Sequence, residues 1–506
     1  LKALKKLKHR RNKYIIRRLN MNQEKKNMLF YPLGTVGRDM IYSLFTNYIL
    51  LFILYTRNLT PAQLAAVTAI MVAARVFDAL NDPIMGNIIE RTRSKYGKFK
   101  PWLLIGILST SVVVYLAFNT SLTGWSFIAF FGVIYFMYSI TYTMHDISYW
   151  GMVPALSKDG DKRNSLTARA TLFAGIGGTL ASVLIPLFTA GKFALGGNTS
   201  VAYGRIALII CILTPLFILF TLFGVKENRD DMKKEAPKVS FKKIIKTIGG
   251  NDQLLWICLI FLIQQIGNGI VLGGVGANYI YFEFGYEGGL YSTFQTVGMA
   301  ATAVLMIIYP MISKKLHRRK LVFLMAVFAT AGYAVQLGAG FFLPADTVKF
   351  ILLTAGFMFA NLGQYGLYLI MMISIINTVE YNELKHGTRD EAIITSMRPF
   401  LTKLASSFTV IITTVSYLIC KVTESTNKIT EIEKDFNTGA ITEDSKFSLI
   451  DDVVKGVASG QKAGLLITMT LVPCILMLIS VVLYRRFYKL DEKRYDEICA
   501  EIKARG

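Results

Sequence analysis

Apolar residues run in unbroken stretches of eighteen or more along almost the whole chain, interrupted by short polar connectors. As a helix, each stretch is long enough to cross ~30 Å of hydrocarbon. The runs are continuous and do not alternate apolar with polar, which excludes a membrane β-barrel. Twelve spanning helices are predicted, near 31–55, 62–89, 101–119, 125–153, 168–191, 205–225, 253–282, 290–313, 321–343, 348–376, 393–420 and 463–484. The fold class is therefore an all-α membrane protein.

Composition agrees with that pattern. Of 506 residues, 53% are hydrophobic and 18% charged, whereas a soluble chain is about a quarter charged. A soluble multi-domain enzyme is excluded, and no H-E-x-x-H, G-x-S-x-G or Walker loop suggests an intramembrane one. Lys and Arg outnumber Asp and Glu by 56 to 33. In a membrane chain that excess reads as basic cytoplasmic loops rather than nucleic-acid binding. The five cysteines are scattered without C-x-x-C, so neither disulfides nor a zinc site is expected.

The connectors fall into two classes. Basic ones follow spans 2, 6 and 8: ERTRSKYGKFK, the stretch 226–246 with eight Lys or Arg, and SKKLHRRK. Those after spans 1, 3, 5, 7 and 9 carry at most a couple of cations. This alternation expects a multi-pass cell-membrane protein with both termini cytoplasmic. The organisation read from it is a basic tail at 1–30, a six-helix bundle at 31–225, a cytoplasmic linker at 226–252, a second bundle at 253–484 with an external loop at 421–462, and a cytoplasmic tail at 485–506. No cleavable signal is visible, and LKALKKLKHRRNKYIIRRLN before Met21 reads either as an upstream translation artefact or as a segment resting on anionic lipid. Each half places a basic connector between its second and third spans, the weak symmetry of two parallel repeats. That architecture resembles the major facilitator superfamily.

The informative residues are charges where hydrocarbon should be. Span 1 has Arg38 and Asp39, span 2 has Arg75, Asp78 and Asp82, span 4 has Asp146, and span 11 has Arg398 and Lys403. Four aspartates alone imply roughly 10–14 kcal/mol of insertion cost, which pairing or a water-filled cavity must offset. In RVFDALNDPIMG, Asp78, Asn81 and Asp82 stand at i, i+3 and i+4, on one helix face. Carboxylate and amide oxygens suit a hard monovalent cation. Adjacent carboxylates also resist joint ionisation, so the pair can hold a proton instead. The plain alternative is a structural pair between Arg75 and Asp78.

Polar stripes mark four further spans. Span 1 presents Asp39, Tyr42, Ser43, Thr46 and Asn47; span 4 presents Tyr142, Thr143, Asp146 and Trp150; span 7 presents Gln264 and Asn268; span 10 presents Asn361, Gln364, Tyr365 and Tyr368. Any one stripe can be interhelical glue. Together they suggest a cavity suited to a polyhydroxylated solute, since carboxylates accept from hydroxyl pairs and an aromatic face covers the apolar side of a sugar. Arg398 reads as snorkelling to the interface and His145 as packing. The glycines of GNGIVLGGVGANY in span 7 read as close helix contact and bending.

The stretches RVFDALNDPIMG…RTRSKYGKFKPWLL, YTMHDISYWGMVPAL and VEYNELKHGTRDEA resemble those of the glycoside–pentoside–hexuronide:cation symporters, over about residues 28–490. The resemblance implies a cation site at Asp78, Asn81, Asp82 and Thr143. It implies a sugar site at Asp39 with Arg38, Asp146, Trp150 and Lys403, and Tyr142 shares the Asp146 face. Tyr368 stands where the family has a tryptophan, and Arg169 lies one or two residues out of register with a family arginine. The activity implied is symport of Na+, H+ or Li+ with a sugar or glycoside by a monomer in the lipid bilayer, without a cofactor. Arg91, Arg93 and Lys95 are expected to hold the inward gate through ion pairs. The rival readings are a lipid or lysolipid carrier on the same fold, which would want a more apolar cavity, and a non-transporting sensor.

Overall fold

The computed structural model describes residues 2–157, 159–227 and 241–505, and among them no strand forms. Part of the expected linker, 228–240, and the first residue of the expected tail lie outside the described residues. Among the described residues, twelve helical segments are long and apolar enough to cross a membrane.

The first bundle consists of α1 (Lys2–Thr56), α2 (Pro61–Arg91), α3 (Lys100–Phe118), α4 (Gly124–Gly151), a single turn α5 (Val153–Leu156), α6 (Gly160–Thr189) and α7 (Thr199–Gly224). After the linker helix α8 (Phe241–Gly250), the second bundle begins with α9 (Asp252–Gly269) and α10 (Gly276–Phe284), two parts of one span. It continues with α11 (Gly288–Lys315), α12 (Arg318–Phe342), α13 (Thr347–His386), α14 (Glu391–Ile419) and α17 (Ser459–Phe487). Helix starts follow local chemistry. Thr60 and Gln63 form a reciprocal capping box ahead of Pro61, and Asn198, Asn251 and Asp346 each cap a helix with a side-chain oxygen.

Two findings depart from a plain reading of twelve rods. The seventh span is broken: between α9 and α10 lies a π-helical turn in which Gly274 has φ 115°, a conformation open to glycine. A Cβ there would also lie 2.7 Å from the Tyr417 hydroxyl. The expected external loop 421–462 is largely helical, forming α15 (Val422–Asn437) and α16 (Glu443–Lys455). A last helix, α18 (Glu492–Arg505), packs along α13.

Between the bundles, α2 packs on α14 and α6 on α11. The apolar cores show how these contacts are distributed. At the end carrying the 421–462 segment, one core joins both bundles, with Leu44, Tyr48, Phe52 and Ile185 from the first and Val275, Tyr281, Phe357 and Tyr417 from the second. At the end carrying the termini there are two separate cores, one around Tyr31, Leu103 and Tyr149, the other around Leu254, Met371 and Tyr484. Polar contacts follow suit. Tyr48 donates to Gln295 (3.0 Å), Tyr55 to Asn278 (2.8 Å) and Ser292 to the Val183 carbonyl (2.9 Å), all toward the loop end. The bundles are thus joined at the loop end and parted by a cleft toward the termini.

Within the first bundle α1 lies tight on α6. A Cβ on Gly177 would collide with the Val36 backbone, whereas one on Gly175, half a turn away, would meet nothing within 4 Å. Gly177→Leu is expected to destabilise by ~1–3 kcal/mol through overpacking, and Gly175→Leu to leave stability nearly unchanged. Thermal unfolding in detergent compares them; equal midpoints would refute the close approach.

Candidate functional site

Near the middle of the membrane-spanning part of α1, Gln23–Thr56, Arg38 is almost fully buried and reaches two acids. Its Nη2 lies 2.8 Å from Asp39 Oδ2 and its Nη1 2.5 Å from Asp146 Oδ1 on α4. The guanidinium also lies over the rings of Tyr149 (5.3 Å) and Trp150 (5.0 Å). A planar fork with an aromatic seat is what arginine offers and lysine does not. The two carboxylates remain 21% and 35% exposed. Among the described residues Asp39 Oδ1 and Asp146 Oδ2 take no hydrogen bond, so each keeps an acceptor for a solute hydroxyl. Tyr142 extends this wall, stacked on Tyr138 (5.4 Å) and tilted against Tyr42 (5.3 Å), with the buried His145 ring edge-on to it (4.6 Å).

Next to this cluster, α2 presents its carboxylates toward α4. Asp82 accepts from Thr143 Oγ1 at 3.1 Å, and Asp78 accepts a hydrogen bond from Ser139. Spacing explains the match: Asp78 and Asp82 are one turn apart on α2, and so are Ser139 and Thr143 on α4. Arg75 Nη1 lies 3.6 Å from Asp78, so the structural pair weighed from sequence is present together with the hydroxyl contacts. Asn81 is buried, and its amide nitrogen has no partner among the described residues.

Lys403 of α14 forms an ion pair with Asp82. The resemblance implies Lys403 in the sugar group, while the residues alone suggest that it compensates carboxylates across the cavity; its ion pair is with Asp82 of the Asp78–Asn81–Asp82–Thr143 group. The two groups adjoin, since both Lys403 and Asp82 act electrostatically on Asp146. Each partner of the pair is about one-third exposed, as expected at the floor of an open cleft.

The remaining expected residues lie elsewhere. Tyr368 packs on Phe261 (5.8 Å) and Tyr365 (6.1 Å) within the second bundle. Arg169 is exposed and makes no ion pair among the described residues; its neighbour Ala170 is the residue facing α1, its carbonyl accepting from Thr35 at 3.1 Å. Arg91, Arg93 and Lys95 are exposed at the end of α2. Arg93 donates to the carbonyls of Glu90 and Thr92, Lys95 lies over the Tyr96 ring, and neither Arg91 nor Arg93 forms an ion pair among the described residues. The connector after α2 is anchored by other groups: Lys98 pairs with Glu90, and the Glu227 carboxylate accepts from the backbone N–H groups of Lys98, Phe99 and Lys100. Sequence reasoning missed Ser139 and Tyr149. The first had a signal, its four-residue spacing to Thr143.

Comparisons with known proteins bear on the fold and the family. A family model described as MFS/sugar transport protein matches residues 30–438. The lactose permease of Leuconostoc lactis is 28% identical over 403 residues, covering 75% of this chain and 60% of its own length, so the chain spans less than two-thirds of that relative. The raffinose carrier protein of Pediococcus pentosaceus is 27% identical, covering 94% of this chain and 71% of its own. Among solved structures, a bacterial homolog of the human lysosomal transporter Spinster, inward-facing and unoccupied, matches with TM-score 0.63 at 10% identity, covering 92% of this chain and 97% of its own. A nucleoside transporter matches with TM-score 0.60 at 11% identity, covering 92% and 100%. These likenesses show a shared fold.

The site's electrostatics can be tested without a substrate. Arg38→Ala leaves two acids without their buried partner, a loss expected to cost ~3–5 kcal/mol. Adding Asp39→Asn and Asp146→Asn should recover much of it. Thermal unfolding of the single and triple variants reads the difference, and equal midpoints would mean that Arg38 does not hold these carboxylates.

Proposed function

The chain belongs to the MFS/sugar transport protein family, within it to the glycoside–pentoside–hexuronide:cation symporters, and on that premise we propose that it couples entry of a monovalent cation, Na+ or H+, to uptake of a glycoside or other sugar. It is a membrane transporter and not an enzyme. The observation that carries the coupling proposal is the Lys403–Asp82 pair, an ammonium on one bundle neutralising a carboxylate on the other at the floor of the cleft.

The cation is cargo. Entering the cleft, it competes with Lys403 for Asp82 and takes oxygen ligands from Asp78, Asn81 and Thr143. Li+ fits the same donors. The displaced ammonium stays beside Asp146, which changes the charge felt by the pocket formed by Arg38, Asp39, Tyr142, Asp146 and Trp150. There the free carboxylate oxygens accept sugar hydroxyls, and Trp150 covers an apolar sugar face. Cation and sugar then tighten each other by the same factor. Tyr368 and Arg169 are weaker candidates, because neither touches this cluster here.

Basic connectors at the terminus end support a cytoplasmic placement of that end in the cell membrane. The cleft then opens inward, and the joined loop end faces outside. Arg91, Arg93 and Lys95 are proposed to act when the inward end closes, a state in which cations at that rim meet the second bundle. One charge moving inward at 100 mV supplies ~2.3 kcal/mol, enough for a roughly 50-fold solute gradient.

Uptake of a panel of radiolabelled glycosides by membrane vesicles, with and without Na+ and with and without a pH gradient, identifies solute and ion. Asp82→Cys and Asp78→Cys are expected to reduce accumulation to the equilibrium ratio while sparing part of downhill exchange. Accumulation at the unmodified level in both variants would remove α2 from the coupling.

A further inference from the structure

The hairpin α15–α16 belongs by sequence to the second bundle, lying between α14 and α17. Its polar side chains bond to the first. Asn427 and the Leu59 backbone exchange two hydrogen bonds, 3.0 and 2.9 Å, and Asn58 donates to Glu431 at 3.3 Å. The Glu433 carboxylate accepts from the Thr199 N–H (3.2 Å) and hydroxyl (3.1 Å), at the N-terminus of α7. Asn198 donates to the Glu433 carbonyl at 2.7 Å, and Lys446 of α16 donates to the Gly197 carbonyl at 2.7 Å. Thr199 also shares a hydrogen bond with Tyr286 of the second bundle, whose ring stacks on Tyr55 of the first at 4.9 Å.

Glu433 is 4% and Lys446 1% exposed, an unusual place for either residue type on a connector between spans. Among the described residues Glu433 has no cation within ion-pair distance; Lys446, seated over the rings of Phe436 (4.6 Å) and Phe447 (4.3 Å), is the charge that acts on it. Burial pushes the Glu433 carboxyl up from the usual glutamate range, with Lys446 and Thr199 opposing. Burying an acid without an ion pair is costly, and what this one gains is the Thr199 donors of the opposite bundle. Apolar neighbours Val422, Ile429, Ile450 and Val454 seat the hairpin in the core that joins the two bundles.

We infer that the α15–α16 hairpin is the clasp of the loop-side gate, with Glu433 as the residue that positions it on the first bundle. The inference rests on the alternating-access reading above. To expose the cleft on the loop side, the bundles must part between Thr68 and Thr414, whose hydroxyls are 2.5 Å apart. The contacts of 58–59 and 197–199 with the hairpin must break in the same movement, because those residues move with the first bundle.

The test uses the full chain with all five native cysteines replaced by serine, and it reads gating without needing the solute. Thr68→Cys reports loop-side opening through its labelling by a membrane-impermeant maleimide. Asn58→Cys with Glu431→Cys, both at exposed positions, allow a short bis-methanethiosulfonate, which loses methanesulfinate at each thiol and is cleaved by reductant, to bridge hairpin and first bundle. The reporter is labelled in a second step after the bridge has formed. Bridging is expected to cut Thr68→Cys labelling and glycoside exchange at least tenfold, with recovery on cleavage. Glu433→Ala, unbridged, should raise labelling severalfold, and Glu433→Gln, which keeps an acceptor for Thr199, should lie near the parent. Unchanged labelling after complete bridging would overturn the clasp, even if glycoside were transported. Labelling that responds to the bridge while no glycoside or cation moves would keep the clasp and overturn the symporter reading. Should Glu433→Ala fail to fold, the bridged pair still decides.

Discussion

An ionised side chain inside a membrane-spanning bundle is tolerable only when another charge or water accompanies it, and this protein satisfies that demand unevenly. Arg38 takes two acids and holds them within one bundle. Asp78 is settled locally by Ser139 and Arg75. Asp82 takes Thr143 from its own bundle, but its countercharge, Lys403, comes from across the cleft. Stripping a partner from a buried charge costs several kcal/mol unless a substitute arrives. Separation at Asp82 takes that countercharge away from a carboxylate that is about one-third exposed, so water offsets part of the loss. On the proposed coupling, a bound cation takes the ammonium's place directly, and a proton does so by discharging the acid. On that proposal, ion binding is linked to the relative position of the two halves.

Apolar packing supplies the counterweight. One core is continuous across both bundles at the loop end, and two cores stand apart at the terminus end. Rocking would divide the first and merge the others, so apolar area lost at one end is regained at the other. At ~25 cal/mol per Å² even a mismatch of about 100 Å² is worth ~2.5 kcal/mol. That is similar in size to the electrical work of moving one charge. Two states of similar energy can then be shifted by ligands, whose leverage equals their differential affinity for the states.

Much of this was legible in the chain. Continuous apolar runs fixed the number of spans, and basic connectors marked one end of the bundle. The i, i+3, i+4 spacing of Asp78, Asn81 and Asp82 put them on one face because helix periodicity alone decides it. What was not legible is which partner each charge selects. The sequence puts Lys403 on a face of its helix but not against a particular neighbour across a cleft, and the structure shows that neighbour to be Asp82. Arg169 illustrates the reverse, since one residue of register turns a side chain ~100° and Ala170 holds the inner face. The helices of the 421–462 segment had a signal in the spacing of Val422, Ile429, Ile432 and Phe436, and of Phe447, Ile450 and Val454, masked by abundant polar residues. Glu433 had none, because nothing local marks an acid that will be buried against a residue more than two hundred positions away.

These elements meet on α14. Its N-cap residue, Asp390, is tied to the linker helix by Lys243 (2.7 Å) and Thr247 (3.0 Å), and the Lys243 ammonium holds that carboxyl below the usual aspartate range. Lys403 sits near its middle, Thr414 faces α2 near its far end, and the hairpin leaves from Lys421, which has φ 50°. From Lys403 to the end of α14 at Ile419 the helix rises ~24 Å. A helix transmits displacement along its axis with little loss, because its hydrogen bonds close within the segment. On the proposed coupling, a change of partner at Asp82 is therefore felt along α14 and not at Lys403 alone. Under the clasp inferred above, such a shift would alter the angle at which Glu433 meets Thr199, and a hydrogen-bonded clasp, unlike an apolar contact, weakens steeply with angle.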